Sequence, residues 1–136
     1  MSTSNENPST ILRGALKGNG AFSSVTGIAL LVAAKPIAGY IGLEFPWLLT
    51  VIGVSLLIFA VGLFRNATRE KVDLTEARIA VVLDSAWVLG SGVLLMTGML
   101  NTTGNWSVAI IADIVLVFAI AQSVGVRRMR TVGRVA

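Results

Sequence analysis

The sequence contains no cysteine and no histidine. This absence excludes disulfides, thiol chemistry, imidazole acid–base catalysis, and zinc or haem sites built on these residue types. Charge is also scarce, because 13% of the residues are charged, against about a quarter in ordinary soluble domains. At 136 residues the chain is expected to form one domain. The composition therefore predicts a small membrane protein without a separate soluble enzyme domain.

Long apolar runs take the place of charge. A membrane-spanning helix needs about 20 predominantly apolar residues to cross a hydrocarbon core about 30 Å thick. Four stretches meet this requirement, at about 16–34, 46–64, 79–99 and 106–126. They predict an all-α, integral membrane four-helix bundle of antiparallel up-down topology over residues 11–128. Residues 1–10 are predicted to be a disordered polar tail, and residues 129–136 a basic cytoplasmic tail.

The cations are distributed unequally between the two sides of these spans. Ten of the eleven fall on one side: Arg13, Lys17, Arg65, Arg69, Lys71, Arg78, Arg127, Arg128, Arg130 and Arg134. Lys35 alone falls on the other side. Because Lys and Arg accumulate on the cytoplasmic side, both termini are predicted to be cytoplasmic. This topology accounts for the net charge of +4 without a nucleic-acid partner. Attraction of the basic tail to anionic lipid is a secondary alternative.

Two other interpretations of the spans stay open. The first span could be a cleaved signal peptide, because small residues at 32–34 follow its apolar run. The two predicted hairpins could also be a duplication, in which Trp47 corresponds to Trp106 and Phe59 to Phe118. Chance similarity between apolar spans is the alternative to duplication.

Two of the seven acidic residues, Asp84 and Asp113, lie within predicted spans. Aspartate near the centre of a span costs about 2.5–3.5 kcal/mol, so each is expected to face the bundle interior or water and to have a polar partner. The helical rise places Asp84 about 8 Å from the inner boundary and Asp113 about 10 Å from the outer one. The polar candidates near the level of Asp84 are Asn19, Gln122 and Ser123, and those near the level of Asp113 are Thr26, Ser55 and Ser91.

Small residues within the spans predict close helix packing, because association in lipid relies on tight contact and interhelical hydrogen bonds. The candidates are Gly27, Gly53, Gly62, Ala86, Gly90 and Gly92. The alternative role for these glycines is that of hinges in a transporter.

The motif segments NGAFS, residues 19–23, and DSAWVLGS, residues 84–91, stand out from the apolar background. With the surrounding spans they resemble a widespread group of small bacterial four-span membrane proteins that have no assigned activity. The resemblance implies a multi-pass protein of the bacterial inner membrane, with Asn19 and Asp84 in its motif segments. Small multidrug exporters differ, because they rely on a carboxylate in the first span, where this chain has none.

Two functions remain after these exclusions. The slightly favoured hypothesis is a non-catalytic accessory or structural subunit, with the lipid bilayer and a homo-oligomer or larger membrane complex as partners. The alternative is a small proton- or cation-linked transporter that uses Asp113 and Asp84. An enzyme is not expected, because no nucleophile–base arrangement can be assembled, and neither cofactor nor metal ligands are predicted.

Overall fold

The computed structural model describes the backbone of residues 9–135 and side chains through Thr131. The helices in this part of the chain are α1 (Thr10–Val32), α2 (Ala34–Ile41), α3 (Pro46–Thr68), α4 (Leu74–Thr97) and α5 (Thr102–Val135). Four of them, α1, α3, α4 and α5, are long and apolar enough to cross a membrane. The predicted all-α protein with four spans is therefore confirmed for the described residues. Of the tail predicted to be disordered, residues 1–10, the first eight lie outside the described residues, and Thr10 already begins α1.

The four long helices form a ring that is open on one side. Helix α1 packs against α3 along much of its length and also contacts α5, while α4 packs against α5. Helices α3 and α4 are joined by a short loop, yet they hardly touch along their lengths. The order around the ring is therefore α3, α1, α5, α4. The separation between α3 and α4 is called the α3–α4 gap below.

Two glycines form the contact at the crossing of α1 and α3. A Cβ atom added at Gly27 would lie 2.9 Å from the Gly53 carbonyl oxygen, and one added at Gly53 would lie 2.9 Å from the Gly27 carbonyl oxygen. The two backbones therefore touch, as predicted for small residues in membrane helices. Added Cβ atoms at Gly62, Gly90 and Gly92 would meet no atom of the described residues within 4 Å, so these glycines make no such contact there.

Most helices begin or end a few residues away from the predicted spans, and two of the differences change the architecture. The first span breaks at Ala33, and the chain continues as the short helix α2. Pro36 explains the break, because it has no N–H to donate to the carbonyl of Val32. At the other terminus α5 continues through Val135, so most of the predicted basic tail is helical.

Arg13 fastens α1 to the C-terminus of α3. Its guanidinium donates to the carbonyl oxygens of Ala67 and Glu70, each at 2.8 Å, and to that of Arg69. Carbonyl groups at a helix C-terminus lack partners within the helix, and a cation there also interacts favourably with the helix dipole. This end of the bundle, where α1 begins and α3 ends, is called the basic end below.

Asn66 closes the loop between α3 and α4 at the same end. The backbone N–H of Asp73 donates to Asn66 Oδ1 at 2.7 Å, and Asn66 Nδ2 donates to the Asp73 carbonyl at 2.9 Å. The Asp73 carboxylate in turn accepts from the backbone N–H of Glu76 at 3.1 Å and caps α4. The start of α4 is therefore fixed to the end of α3.

Asn101 fastens the opposite end, where Trp47 and Trp106 are exposed. Its backbone N–H donates to the Ile41 carbonyl at 3.0 Å, and its side-chain amide donates to the Tyr40 carbonyl at 3.0 Å. The turn between α4 and α5 is thereby tied to α2. This end is called the aromatic end below.

Replacing Arg13 by alanine is expected to lower the free energy of unfolding by about 1–2 kcal/mol, because several hydrogen bonds to a partly exposed cation are lost. Thermal unfolding of the purified protein in detergent measures the loss. Arg78→Ala, at an exposed cation of α4, is the matched control and is expected to change the stability by less than about 0.5 kcal/mol. Equal shifts for the two variants would contradict the fastening role.

Candidate functional site

Three buried polar side chains from three helices meet inside the bundle. Asn19 of α1, Asp84 of α4 and Gln122 of α5 are 1%, 5% and 0% exposed. Asp84 Oδ2 accepts from Asn19 Nδ2 at 2.7 Å and from Gln122 Nε2 at 2.8 Å. Asn19 Nδ2 also donates to Gln122 Oε1 at 3.1 Å, which closes a ring. The hydroxyl of Ser23 donates to Asn19 Oδ1 at 3.3 Å. The three residues are called the polar triad below.

Helical spacing brings these side chains to the interior. On each helix the triad residue belongs to a buried stripe whose members recur three or four residues apart. On α1 the stripe contains Leu12, Leu16, Asn19, Ser23 and Gly27. On α4 it includes Ala77, Ala80 and Asp84, and on α5 it includes Val115, Ala119, Gln122 and Val126.

The triad fixes the rotation of three helices at once. Lipid offers no hydrogen bonds, so a buried amide or carboxylate must find its partners within the protein. Rotating any one helix about its axis would remove its side chain from the ring and break two of the three hydrogen bonds. In the described residues no group of His, Cys, Asp or Glu could hold a metal ion. The ring is therefore a hydrogen-bonded fastening around one carboxylate.

A cavity of about 290 Å³ borders the triad. All four long helices contribute to its wall, which contains Asn19 and Asp84 together with the aromatic side chains of Phe22, Phe59 and Trp87. It lies where α3 and α4 separate. A larger cavity of about 830 Å³ continues towards the aromatic end, and Trp87 contributes to both walls.

A third and smaller cavity lies at the basic end. It measures about 180 Å³ and is lined by residues that include Arg65 and Glu76. The space along the gap is therefore smallest near the α3–α4 loop and largest at the aromatic end.

The remaining predicted polar residues do not join the triad. Ser123 donates its hydroxyl to the Ala119 carbonyl of its own helix at 2.8 Å. Thr26 and Ser55 line the cavity of about 290 Å³, and Ser91 is buried against the larger one. Thus Asn19 and Gln122 meet Asp84, while Thr26, Ser55 and Ser91 form no hydrogen bond with Asp113 within the described residues.

Asp113 does not face the interior of the single chain, which was one of the two orientations expected for it. Its side chain is exposed on α5, between Ile110 and Val117, which are 54% and 63% exposed. Asp113 and Gln122 are nine residues apart, and at about 100° per residue this spacing puts them on opposite faces of a helix. Because Gln122 faces the interior, Asp113 faces outward.

The aromatic wall of the cavity was not predicted from the sequence, although a signal for it exists. Phe22 follows Asn19 by three residues, and Trp87 follows Asp84 by three residues. Residues three apart lie on the same side of a helix, so each aromatic side chain neighbours a triad member.

The four apolar helices agree with the coarse part of the sequence resemblance, namely a four-span membrane protein. No protein-family model, curated protein or solved structure matches this chain.

Proposed function

We propose that this protein is a non-catalytic accessory or structural subunit of a larger membrane assembly, with both termini in the cytoplasm of a bacterium. The observation that carries the proposal is the outward-facing carboxylate of Asp113. It lies in a stripe of exposed residues along α5 that otherwise consists of Trp106, Ile110, Val117, Ile120 and Val124. This stripe is called the α5 outer face below.

The depth of Asp113 makes its exposure significant. Trp106 is exposed at the aromatic end, where such rings favour the membrane–water interface. Asp113 lies seven residues further along α5, about 10 Å deeper at the helical rise. A carboxylate at that depth costs about 2.5–3.5 kcal/mol if it faces lipid. A partner that supplies hydrogen-bond donors to Asp113 would remove this cost.

Charge favours a different protein over a second copy as that partner. A two-fold axis along the membrane normal through the α5 outer face would bring Asp113 opposite its own equivalent. Two carboxylates repel each other when ionised, whereas a Lys or Arg on a partner helix pairs with one directly. The partner is therefore a membrane helix that presents a cation or amide donors at the depth of Asp113.

The charge distribution supports the proposed orientation. Arg13, Arg65 and Arg69 lie at the basic end, while Lys35 lies near the aromatic end. Cations are enriched on the cytoplasmic side of membrane proteins, which favours the basic end as the cytoplasmic one. A bacterial inner membrane is the setting implied by the sequence resemblance.

Photo-crosslinking in living cells tests the docking role. A photoreactive amino acid at Val117 is expected to give an adduct with a distinct protein, and Asp113→Leu should reduce its yield at least tenfold. The matched control is the same probe at Val93, an exposed position on α4, where no such adduct is expected. An adduct between two copies of the chain, or a yield unaffected by Asp113→Leu, would contradict the proposal.

A proton- or cation-linked transporter is the second candidate. The observation that favours it is the cavity beside Asp84, which lies partway through the span. Asp113 does not line that cavity, so one carboxylate rather than two would serve the pathway. A proton flux into proteoliposomes that Asp84→Asn abolishes would favour transport over the accessory role.

A further inference from the structure

One oxygen of Asp84 is not used by the polar triad. Both amide donors bind Oδ2, and Oδ1 has no hydrogen-bond partner among the described residues. The only fully enclosed side-chain N or O atom without a partner in this part of the chain is Asn105 Oδ1. Asp84 Oδ1 is therefore not fully enclosed, although the residue is only 5% exposed. The cavity of about 290 Å³ is the space that Asp84 borders.

No cation of the described chain neutralises Asp84. The ion pairs in this part of the protein join Arg69 to Asp73 and to Glu76, at the basic end. A carboxylate within a span is costly unless it is paired or hydrogen-bonded, and here half of its acceptor capacity is left over. A positive charge placed in the cavity would meet that remaining oxygen.

The rest of the cavity wall suits apolar and aromatic groups. Phe22, Phe59 and Trp87 line it, and aromatic faces attract cations most strongly when water is excluded. Thr26 and Ser55 add hydroxyl groups, and the Ser55 hydroxyl already donates to Val51 in its own helix at 2.9 Å. Among the described residues, no Lys or Arg contributes to the wall. A single carboxylate among aromatic and aliphatic side chains selects a ligand that is positively charged and otherwise apolar.

The α3–α4 gap gives such a ligand a route from the bilayer. Leu83 contributes to all three cavities and is half exposed, so the sites lie side by side along the gap. The larger cavity towards the aromatic end has room for apolar groups that extend beyond the first. A ligand dissolved in the hydrocarbon would therefore reach Asp84 without crossing water.

We propose that the cavity beside Asp84 binds a lipophilic organic cation that enters from the bilayer through the α3–α4 gap. Oδ1 of Asp84 pairs with the positive charge, and the aromatic wall holds the apolar groups. The triad keeps Oδ2 occupied and thereby holds the carboxylate in place. This site goes beyond the accessory role proposed above, which does not require a ligand.

Two probes of nearly the same size and shape but opposite charge test the proposal. Tetraphenylphosphonium is the cation and tetraphenylborate is the anion, and each is titrated into the protein in nanodiscs of zwitterionic lipid. Calorimetry, corrected with empty nanodiscs, is expected to show saturable binding of the cation at one site per chain. Binding of the anion should be at least tenfold weaker.

Three variants identify the site. Asp84→Asn keeps one oxygen as acceptor for Asn19 and Gln122 and is expected to weaken binding of the cation at least tenfold. Ser55→Phe fills the cavity without breaking a hydrogen bond between helices, and it should also weaken binding at least tenfold. Ser85→Phe, on the exposed face of α4, is the matched control and should leave binding unchanged.

The same measurements can overturn the proposal. Equal binding of the cation and the anion would show that the site does not select charge. Cation binding that Ser55→Phe leaves unchanged would place it elsewhere, even if Asp84→Asn failed to fold. Absence of saturable binding to the wild-type protein would also overturn it.

Discussion

Replacing Gly53 by leucine is expected to separate α1 from α3 and to prevent recovery of folded protein. An added Cβ would lie 2.9 Å from the carbonyl oxygen of Gly27, a backbone atom that cannot withdraw without moving the helix. Even alanine is expected to cost about 1–3 kcal/mol, the usual range for overpacking. Thermal unfolding in detergent measures the loss for Gly53→Ala. For Gly53→Leu, the yield of folded protein extracted from membranes is measured by size-exclusion chromatography.

Gly62 provides a matched control on the same helix. An added Cβ there would meet no atom within 4 Å, so leucine has open space. Gly62→Ala is expected to be neutral or to stabilise by up to about 1 kcal/mol, because alanine has the better helix propensity. Equal loss of folded protein for Gly53→Leu and Gly62→Leu would contradict the assignment of the helix crossing to Gly27 and Gly53.

The second large effect is expected from Asp84→Leu, with a loss of about 2–4 kcal/mol in the free energy of unfolding. The change removes the acceptor that serves Asn19 and Gln122 and leaves buried N–H groups without partners. Asp84→Asn is expected to cost less, because its side-chain oxygen can still accept from both amides. Thermal or chemical unfolding in detergent measures both variants.

Non-additivity provides a stricter test of the triad. When Asn19 and Gln122 are also replaced by leucine, no polar group of the ring is left without a partner. The triple variant is therefore expected to be more stable than Asp84→Leu alone, since replacing every partner with apolar groups is often nearly neutral. Ser85→Leu is the adjacent control and should change the stability little. Losses that simply add across the three sites would contradict the closed ring.

Much of the fold follows from hydropathy, because the bilayer demands long apolar helices and the sequence has four of them. The break at Ala33 could also have been predicted from the sequence, since Pro36 has no backbone N–H to donate to the Val32 carbonyl. The α3–α4 gap could not have been predicted, because the order of the helices around the ring depends on which helix surfaces pack against each other. Gly27 and Gly53 form a helix crossing while Gly62 and Gly90 do not, although the sequence predicted close packing for all four.

The depth of each residue along its helix predicted which side chains meet Asp84, but it did not show which way Asp113 faces. The helical rise placed Asn19 and Gln122 at the level of Asp84, and the structure brings these three side chains together. For Asp113 the same arithmetic gave a depth, but neither the depth nor the cost of a carboxylate in lipid took account of its direction around α5. Nine residues separate it from Gln122, so the two could not both face inward. The depth of a residue in the membrane therefore limits which polar side chains can meet, and its angular position around the helix decides which of them do.

The fastenings at the two ends of the bundle have a consequence for what the α3–α4 gap can admit. Arg13 and Asn66 hold the basic end, while Asn101 ties the turn after α4 to α2 at the aromatic end. The α3–α4 gap is thus an opening that is held at both ends by hydrogen bonds, rather than a cleft that is held at one end only. A ligand that fits the gap need not separate α3 from α4, whereas entry of a wider one would strain the hydrogen bonds at both ends. The gap would then select ligands by size before Asp84 selects them by charge.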